Sequence, residues 1–461
     1  MTTIKKPIVT DDLFFANPED LAKARDAVFS ATLDRVFEHH PHYSRLYREK
    51  GIARSDISGI EDIGRLPVTG KADFVSRPED FTLKLPDTFD ATERIVWDVM
   101  YTTGSTGDPT QFVSTSYDFV NILAVNRNML RLRGVTAEDV ILNLFPLTSH
   151  PHGAFARAMN AAASFSIPVV AAMPGAPSPR HPQLGNRMDE VCALAGRSGA
   201  TILWGVPSYM RKMLGRAEEL GVRLPSVRLV FVTGEGFGEE ARRDLVDRLK
   251  RLGARDPKIS VSYGATEMQG GMVECTPGSG YLNPAPLQFY FEAVDPETHE
   301  PVPDGEEGLI LLTHLDRRGS TVLRYALGDT ARLTRTICPH CGALTERLVS
   351  IPVRRDGFVK IKGMLVNPQA LVDALAAEGG IADFQAFVDK EDEADVLSMD
   401  RLRIRFRPSS GGEDIGRRAA EKVKATIGVM PVMEPVGANE AVLAGGGWKA
   451  KPIIDLRKKA Q

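Results

Sequence analysis

The ten residues YTTGSTGDPT, at positions 101–110, combine two glycines and a proline with five Ser or Thr hydroxyls. One interpretation is a solvated hairpin loop. The other is a phosphate-binding loop, because hydroxyls and backbone N–H groups together can surround phosphate oxygens. The Walker A pattern GxxxxGK[ST] is not matched, since Gly104 and Gly107 have the wrong spacing and no lysine follows Gly107. The sequence therefore disfavours a P-loop NTPase and leaves another kind of phosphate site open.

A second glycine cluster, TGEGFG at 233–238, follows a β-branched run and precedes a helix-length segment. That context is typical of a dinucleotide-binding turn. The fingerprint GxGxxG, however, requires a glycine at position 239, where the chain has Glu239. The sequence therefore disfavours a nicotinamide or flavin site.

Further polar motifs follow along the chain. They are SYGATE (262–267), RYALGD (324–329), RRDGFVKIKG (354–363) and GGGWKAK (445–451). Each alone has an ordinary explanation, such as a polar turn at the end of a strand or an amphipathic strand. Their meaning depends on the elements that position them and on their order.

Between residues 118 and 262 the chain alternates short β-branched runs with helix-length amphipathic segments. This alternation predicts an α/β fold whose largely parallel sheet is covered on both faces. The predicted strands are 140–144, 167–171, 201–206, 227–232 and 258–262, and the predicted helices include 189–197, 208–220 and 239–252. Near Phe289 the pattern changes to strands and turns, and a final α+β segment begins near Asp356. We predict a large domain at 1–353 and a small one at 354–461.

The composition restricts the class of protein. The chain has 461 residues, 43% of them hydrophobic, and a formal net charge of −3, which gives no basis for binding nucleic acid. Its N-terminus lacks the apolar core of a secretory signal, and its most apolar stretch, 161–173, is too short and too polar for a membrane span. Four cysteines make no disulfide framework. We expect a cytoplasmic protein.

Taken in order, these motifs resemble the adenylate-forming superfamily of acyl-CoA synthetases, luciferases and peptide-synthetase adenylation domains. The segments HPHYSRLYREKGI (40–52) and LPVTGKADF (66–74) resemble its phenylacetate–CoA ligase branch more closely. The resemblance implies an acyl-CoA synthetase-like α/β fold with a large multi-sheet N-terminal domain and a small α+β C-terminal domain. It also implies ATP- and Mg²⁺-dependent conversion of a carboxylic acid to an acyl-adenylate, followed by transfer to coenzyme A.

The resemblance also implies roles for particular residues. The hydroxyl-rich loop would surround the β- and γ-phosphates with Thr102, Thr103, Gly104, Ser105, Thr106 and Gly107. In the motif that contains Gly264, Tyr263 would stack on adenine, Thr266 would bond the α-phosphate and Glu267 would hold Mg²⁺, a hard cation that prefers carboxylates.

The remaining motifs supply the rest of the expected site. Gly234 and Glu235 would border the adenine and the acyl pocket, and Asp329 would accept hydrogen bonds from the ribose hydroxyls. Arg354 would contact ribose or phosphate, and Asp356 falls at the hinge between the domains. Lys449 matches the lysine that bridges the acyl carboxylate and the phosphate, with Lys451 as the rival assignment.

The cysteines indicate a metal site. Cys338-Pro-His-Cys341-Gly has the spacing of two thiolates on one tetrahedral Zn²⁺. In some relatives a cysteine after the YGxTE motif joins such a pair, and Cys275 fits that place. The fourth ligand stays open among His299, His314 and His340. The alternative is a metal-free turn with reduced thiols.

The acyl pocket is predicted from the segments 145–155 and 204–210. Phe145, Trp204 and Gly205 would suit a flat aromatic acid, while His152 would bind a polar substituent or cap the following helix. We therefore predict an aryl- or arylacetate–CoA ligase. The alternatives are an adenylating enzyme whose acceptor is a carrier-protein thiol, an amine or another small nucleophile, and a catalytically silent nucleotide-binding relative. A homodimer is compatible with the sequence.

Overall fold

The computed structural model describes residues 17–101, 111–147, 153–175, 185–354, 359–361, 364–392, 399–409, 414–437, 442 and 452–457. Its α-helices are α1 (Pro18–His39), α2 (Pro41–Glu49), α3 (Lys71–Ser76), α4 (Ala91–Arg94), α5 (Ser116–Leu132), α6 (Gly153–Phe165), α7 (Met188–Arg197), α8 (Pro207–Glu219), α9 (Glu239–Arg251), α10 (Pro368–Ala376) and α11 (Ile415–Ile427). Short 3₁₀ turns occupy Arg54–Asp56, Ile60–Arg65, Pro78–Phe81 and Thr266–Met268.

The strands of the first part of the chain are β1 (Val96–Tyr101), β2 (Gln111–Thr115), β3 (Ile141–Asn143), β4 (Val169–Ala171), β5 (Ile202–Gly205), β6 (Leu229–Thr233), β7 (Lys258–Tyr263), β8 (Met272–Val273), β9 (Tyr281–Leu282), β10 (Phe289–Val294), β11 (Glu307–His314), β12 (Tyr325–Thr334), β13 (Arg347–Leu348) and β14 (Val353–Arg354). Those of the last part are β15 (Val359–Ile361), β16 (Met364–Val366), β17 (Ile381–Lys390), β18 (Asp400–Pro408), β19 (Val432–Pro435) and β20 (Ile453–Asp455).

The largest sheet has the strand order β10-β11-β12-β13-β9-β8-β7-β6-β5-β3-β4, and β14 pairs with β12. Its β7-β6-β5-β3-β4 half is parallel. The residues of β6 from Leu229 to Val232 are buried, as expected of a strand that helices cover on both faces. Every strand predicted between residues 140 and 262 is present, so the predicted α/β class is confirmed.

The last part of the chain has its own sheet and core. Strands β17 and β18 form an antiparallel pair, flanked by β20 parallel to β17 and by β19 parallel to β18. A separate cluster of buried side chains, from Ile361 to Ile453, lies between this sheet and the helices α10 and α11. The division of the chain into domains at residues 353 and 354 stays a prediction.

The two parts contact each other through α8 and β17. The Arg211 guanidinium donates to the carbonyl of Ile381 at 2.7 Å, and the Lys212 ammonium lies 3.6 Å from the Asp383 carboxylate. Helix α10 also approaches the loop after β6, where a Cβ on Gly236 would lie 1.9 Å from the side-chain oxygen of Gln369. A glycine at this position therefore permits the contact. None of the described helices combines the length and hydrophobicity that a membrane span requires.

Candidate active site

Two cavities lie at the carboxyl ends of the parallel strands, the usual place for a ligand in an open α/β sheet. The large cavity, with a volume of about 490 Å³, lies between the loop after β6, the end of β7, strands β12 and β14, and α10. The small cavity, of about 140 Å³, lies between α5, α6, β5 and the loop after β7. Both are lined by Gly234, Ser262 and Gly264. The two cavities therefore meet where β6 and β7 end.

Tyr263 and Asp329 form the polar centre of the large cavity. The Tyr263 hydroxyl donates to Asp329 Oδ2 at 2.7 Å, and burial with the adjacent carboxylate raises the pKa of Tyr263 well above its usual value. Register pairs Asp329 on β12 with Arg354 on β14, whose Nη1 lies 3.6 Å from Asp329 Oδ2. An ionised carboxylate can accept from several donors at once, so Asp329 is suited to hold a ligand hydroxyl as well.

Glu235 lines the large cavity, but its carboxylate is engaged by α8. Its two oxygens accept from the backbone N–H of Ser208 at 2.9 Å and from the Ser208 hydroxyl at 2.7 Å. A carboxylate near the first turn of a helix also faces the positive end of the helix dipole. Glu235 therefore fixes the loop after β6 relative to α8, while Gly234 forms the wall shared by both cavities.

Thr266 and Glu267 lie on the 3₁₀ turn after β7. Thr266 lines the small cavity, and Glu267 Oε1 accepts from the Tyr325 hydroxyl at 3.2 Å. Burial raises the pKa of Glu267. His314 Nε2 lies 3.0 Å from the Glu267 carbonyl, while its Nδ1 accepts from the N–H of Val322. Burial lowers the pKa of His314 well below its usual value, so a neutral imidazole donates to Glu267 and orients it.

Gln269 connects this turn to α6. The turn ends at Gln269, whose φ of 52° is in the left-handed region, and Gln269 Nε2 donates to the Thr266 carbonyl at 2.5 Å. Gln269 Oε1 accepts from the Arg157 guanidinium, which also lies 3.1 Å from Asp98 on β1. The Gln269 side chain therefore connects Arg157 on α6 to the backbone of the 3₁₀ turn that carries Thr266 and Glu267.

The small cavity has aromatic walls. Phe145 and Trp204, which the sequence assigns to the acyl pocket, both line it, together with Gly153 at the start of α6. Gly205 is not among its described lining residues. A Cβ on Gly205 would lie 3.0 Å from the Leu144 Cβ, so the glycine permits close packing behind the wall.

Several residues that the sequence assigns to the site lie outside the described residues, and their roles stay predictions. They are Thr102, Thr103, Gly104, Ser105, Thr106, Gly107, His152, Asp356, Lys449 and Lys451. Strands β1 and β2 pair as far as Tyr101 and Gln111, so the hydroxyl-rich segment connects neighbouring ends of a hairpin.

Sequence reasoning missed Arg157, Asn126, Tyr325 and Gln369. One signal was present, because Arg157 is the single charged residue in the alanine-rich stretch GAFARAMNAAASF and an isolated charge in an apolar helix needs a partner. Tyr325 stands inside a quoted motif, but its hydrogen bond to Glu267 joins residues 58 positions apart in the chain, which no local pattern shows. Nothing in the sequence shows that Gln369 faces the loop after β6.

Three cysteines come together beside this sheet. The sulfur atoms of Cys275, Cys338 and Cys341 all lie within 4.8 Å of one another, and the Cys275 and Cys338 sulfurs are 3.9 Å apart. Tetrahedral Zn²⁺ with Zn–S bonds of about 2.3 Å places its sulfurs about 3.8 Å apart. A hydrogen bond from Cys341 lowers the pKa of Cys275 to about 5, which favours the thiolate. The three thiols fit a zinc ion, and no histidine among the described residues joins the cluster.

Comparison with known sequences relates this geometry to known enzymes. Phenylacetate–coenzyme A ligase of Aromatoleum evansii is 26% identical over 444 residues, which cover 92% of each chain. The phenylacetate–coenzyme A ligase of Escherichia coli K12 is 25% identical over 461 residues, covering 97% of each. The predicted resemblance to the phenylacetate–CoA ligase branch of the adenylate-forming superfamily is confirmed.

Solved structures agree on the fold. A 2-hydroxyisobutyryl-CoA ligase in the postadenylation state matches 98% of this chain and 94% of its own, with a TM-score of 0.80 and 21% identity. The same ligase in its thioesterification state gives a TM-score of 0.65. The family model of the AMP-binding enzymes matches residues 46–315, more than half of the 461 residues. The chain therefore belongs to the AMP-binding enzyme family.

Proposed function

We propose that this protein is an AMP-forming acid–CoA ligase. The substrate carboxylate attacks the α-phosphorus of ATP, which gives an acyl-adenylate and pyrophosphate. The thiol of coenzyme A then attacks the acyl carbon, and AMP leaves. The phenylacetate–coenzyme A ligases that cover almost the whole chain support CoA as the acceptor.

The shared wall of the two cavities is the observation that carries this proposal. The first step requires a carboxylate and an α-phosphate within contact distance of each other. A nucleotide in the large cavity and an acid in the small cavity would meet at Gly234, Ser262 and Gly264. Larger side chains at this junction would crowd the reacting carboxylate and phosphate. Gly234 and Gly264 therefore leave room for the reacting groups.

The chain's own residues then have defined tasks. Asp329 accepts hydrogen bonds from the ribose hydroxyls. Tyr263 and Arg354 hold its carboxylate in place. Thr266 donates its hydroxyl to the α-phosphate from the edge of the small cavity. The half-buried Glu267 carboxylate, oriented by Tyr325, fits Mg²⁺, and a bound Mg²⁺ would neutralise charge on the phosphates.

The acid is proposed to be aromatic. Phe145 and Trp204 give the small cavity two flat walls, and Gly153 leaves space beside them. Its volume of about 140 Å³ is close to that of an apolar cavity of roughly 150 Å³ that binds benzene. The names of the relatives also point to an aryl-substituted acid.

A structural zinc ion is proposed for Cys275, Cys338 and Cys341. The two segments are 63 residues apart in the chain, and Cys275 lies between β8 and β9. Because Tyr281 of β9 lines the large cavity, the metal would stabilise one wall of the nucleotide site without touching the reacting groups. A cytoplasmic location and a homodimer remain predictions from the sequence.

Pyrophosphate release with a panel of carboxylic acids tests the proposed function. We expect ATP-dependent release that requires an aromatic acid, and an acyl-CoA thioester when CoA is added. Asp329→Ala serves as the control with strongly reduced activity. Nucleotide binding without pyrophosphate release would show a silent relative, and pyrophosphate exchange without a thioester would show a different acceptor.

A further inference from the structure

The loop after β6 contains two glycines whose backbone conformation does not require glycine. In the motif TGEGFG, Gly234 has a φ of 85°, which lies in the left-handed region that favours this residue. Gly236 has no positive φ. Gly238 has a φ of −94° and a ψ of 172°, an extended conformation that any residue can adopt. The glycines at 236 and 238 therefore have a cause outside their own backbone.

Gly238 is also the N-cap residue of α9. Ser, Asp or Asn at this position accepts a hydrogen bond from the first turn of the helix, which glycine cannot do. The Asp373 carboxylate of α10 lies at the same helix end, where a Cβ on Gly238 would be 2.8 Å from its Oδ1. The positive end of the helix dipole favours an anion there. The chain thus lacks a local cap and places a carboxylate from its last part beside α9.

The nearest neighbours of both glycines come from one face of α10. The three atoms closest to a Cβ on Gly236 belong to Gln369, the nearest at 1.9 Å, and the three closest to a Cβ on Gly238 belong to Asp373. Gln369 and Asp373 are one helical turn apart, and Gln369 Nε2 donates to Asp373 Oδ1 at 2.9 Å. Gly236 and Gly238 therefore form a docking surface that α10 fits only because both side chains are absent.

This docking surface lies at the edge of the large cavity. Gly236 lines the cavity from the first part of the chain, while Gln369, Asp373 and Pro452 line it from the last part. The last part has its own buried core, so its position over the cavity depends on contacts between the two parts. The contact of α10 with the two glycines therefore completes the wall of the proposed nucleotide site.

We propose that Gly236 and Gly238 are the docking surface for α10, and that tight ATP binding and adenylation require α10 to be docked on it. The inference rests on the proposed function, because it assigns ATP to the large cavity. The two glycines are positioning residues in this proposal. They act through α10, which brings Gln369 and the end of the chain at Pro452 to the cavity.

Gly238→Ser tests the proposal, because it separates docking from stability. Serine caps a helix at least as well as glycine, so the unfolding free energy should not fall. Its side chain would overlap the Asp373 carboxylate. We expect the Kd for ATP, measured by calorimetry, and kcat/KM for pyrophosphate release to worsen by at least about 10-fold, which corresponds to about 1.4 kcal/mol.

Removing the opposing side chain should abolish this effect. In an Asp373→Ala background, Gly238→Ser should change both quantities by less than about threefold. Gly236→Val and Gln369→Ala form a second pair with the same expected pattern. Gly70→Ser is the matched control, because Gly70 is the extended N-cap residue of α3 and its Cβ would have no neighbour within 4 Å. That variant should keep wild-type ATP affinity and activity.

The outcomes separate this inference from the proposed function. Unchanged ATP affinity and activity in both Gly238→Ser and Gly236→Val overturn the inference and leave the ligase assignment in place. An equal loss with and without Asp373→Ala also overturns it, since Gly238 would then serve the loop or the nucleotide directly. If ATP binds but no acid yields pyrophosphate, the ligase assignment fails and the ATP affinities of the same variants still decide. If Gly238→Ser does not fold, the pair at Gly236 and Gln369 decides.

Discussion

The two cavities that meet at the ends of β6 and β7 differ in how their polar groups are satisfied. In the large cavity Tyr263 is bonded to Asp329 and Glu235 to Ser208. Beside the small cavity, Arg157, Trp204 and Asn126 each have a buried polar atom without a hydrogen-bond partner in the described part of the chain. The ligand of the large cavity would be ATP in every turnover, so its binding groups are held ready within the protein. The buried polar groups beside the small cavity are therefore less completely satisfied than those of the large cavity.

The difference has an energetic meaning. Side chains that are already hydrogen-bonded are held in one orientation, so a ligand loses little free energy in ordering them. Unpaired buried groups reduce the stability of the folded protein by about 1–3 kcal/mol each.

Lys449→Ala should have the largest effect on the junction between the cavities. We expect acyl-adenylate formation to fall by about 1000-fold, because an ammonium group at the reacting carboxylate and phosphate stabilises negative charge that develops there. Thioester formation from supplied acyl-adenylate should change by less than about tenfold, because the attack of the carboxylate on the phosphate is already complete before the second step. The two half-reactions are measured separately, by pyrophosphate exchange and by thioester production.

Lys451→Ala is the control for this assignment. It should retain adenylation, since the family lysine is matched to position 449. If Lys451→Ala shows the selective loss and Lys449→Ala does not, the assignment is shifted by two residues. Equal loss of both half-reactions in Lys449→Ala would instead indicate a structural role.

The sequence predicts the large cavity better than the small one, for a physical reason. A ligand that never changes requires fixed residue types in short motifs, and SYGATE and RYALGD supply Tyr263 and Asp329 at the ends of predictable strands. The strands themselves follow from alternating β-branched runs. The hydrogen bond between the two side chains depends on strand order, which no local pattern contains.

The small cavity depends on contacts between distant elements. Arg157 contacts Asp98, which is 59 residues away in the chain, and Gln269, which is 112 residues away. Each of the three residues belongs to a different element. Helical periodicity alone does not show which residue of an alanine-rich helix faces a cavity. The residues of the proposed nucleotide site can therefore be predicted from motifs. The contacts around the small cavity depend instead on the packing of α6 against β1 and against the 3₁₀ turn after β7.

Asp329→Ala should be the next largest change, and it is confined to the large cavity. We expect kcat/KM for ATP to fall by about 100-fold, because two charge-assisted hydrogen bonds to ribose of about 1.5 kcal/mol each would be lost. The ratio of kcat/KM between two acids should stay the same. The measurement is pyrophosphate release at varied ATP with two acids.

Tyr263→Phe is the matched variant for Asp329. It removes the hydroxyl that donates to Asp329 Oδ2 but keeps the ring that would stack on adenine. We expect a loss of less than about tenfold, since a single intramolecular hydrogen bond contributes about 1 kcal/mol. A loss as large as that of Asp329→Ala would mean that the hydroxyl itself binds the nucleotide.

Cys338→Ser tests whether the zinc site supports the large cavity from outside. We expect purified wild-type protein to contain close to one zinc ion per chain, and the variant to lose it together with about 2 kcal/mol of unfolding free energy. The Michaelis constant for ATP should rise more than that for the acid, because β9 lines only the large cavity. Elemental analysis, chemical denaturation and steady-state kinetics provide the three readouts.

Cys192→Ser is the control for thiol removal, since Cys192 is buried in α7 with its sulfur donating to the Met213 carbonyl. This variant should keep its zinc. Wild-type protein that contains no zinc after purification without chelators would reject the metal and leave a thiol-lined turn.

Gly205→Ala should have the smallest effect. It tests whether Gly205 lines the small cavity or only packs behind its wall. The new Cβ would lie 3.0 Å from the Leu144 Cβ, so the strand and its neighbour must shift slightly. We expect a loss of about 1 kcal/mol in unfolding free energy, typical of mild overpacking. The ratio of kcat/KM between two aromatic acids should not change, because the described wall of the small cavity contains Trp204 but not Gly205. If Gly205→Ala changes that ratio, the glycine lines the acyl pocket, as its sequence motif predicts.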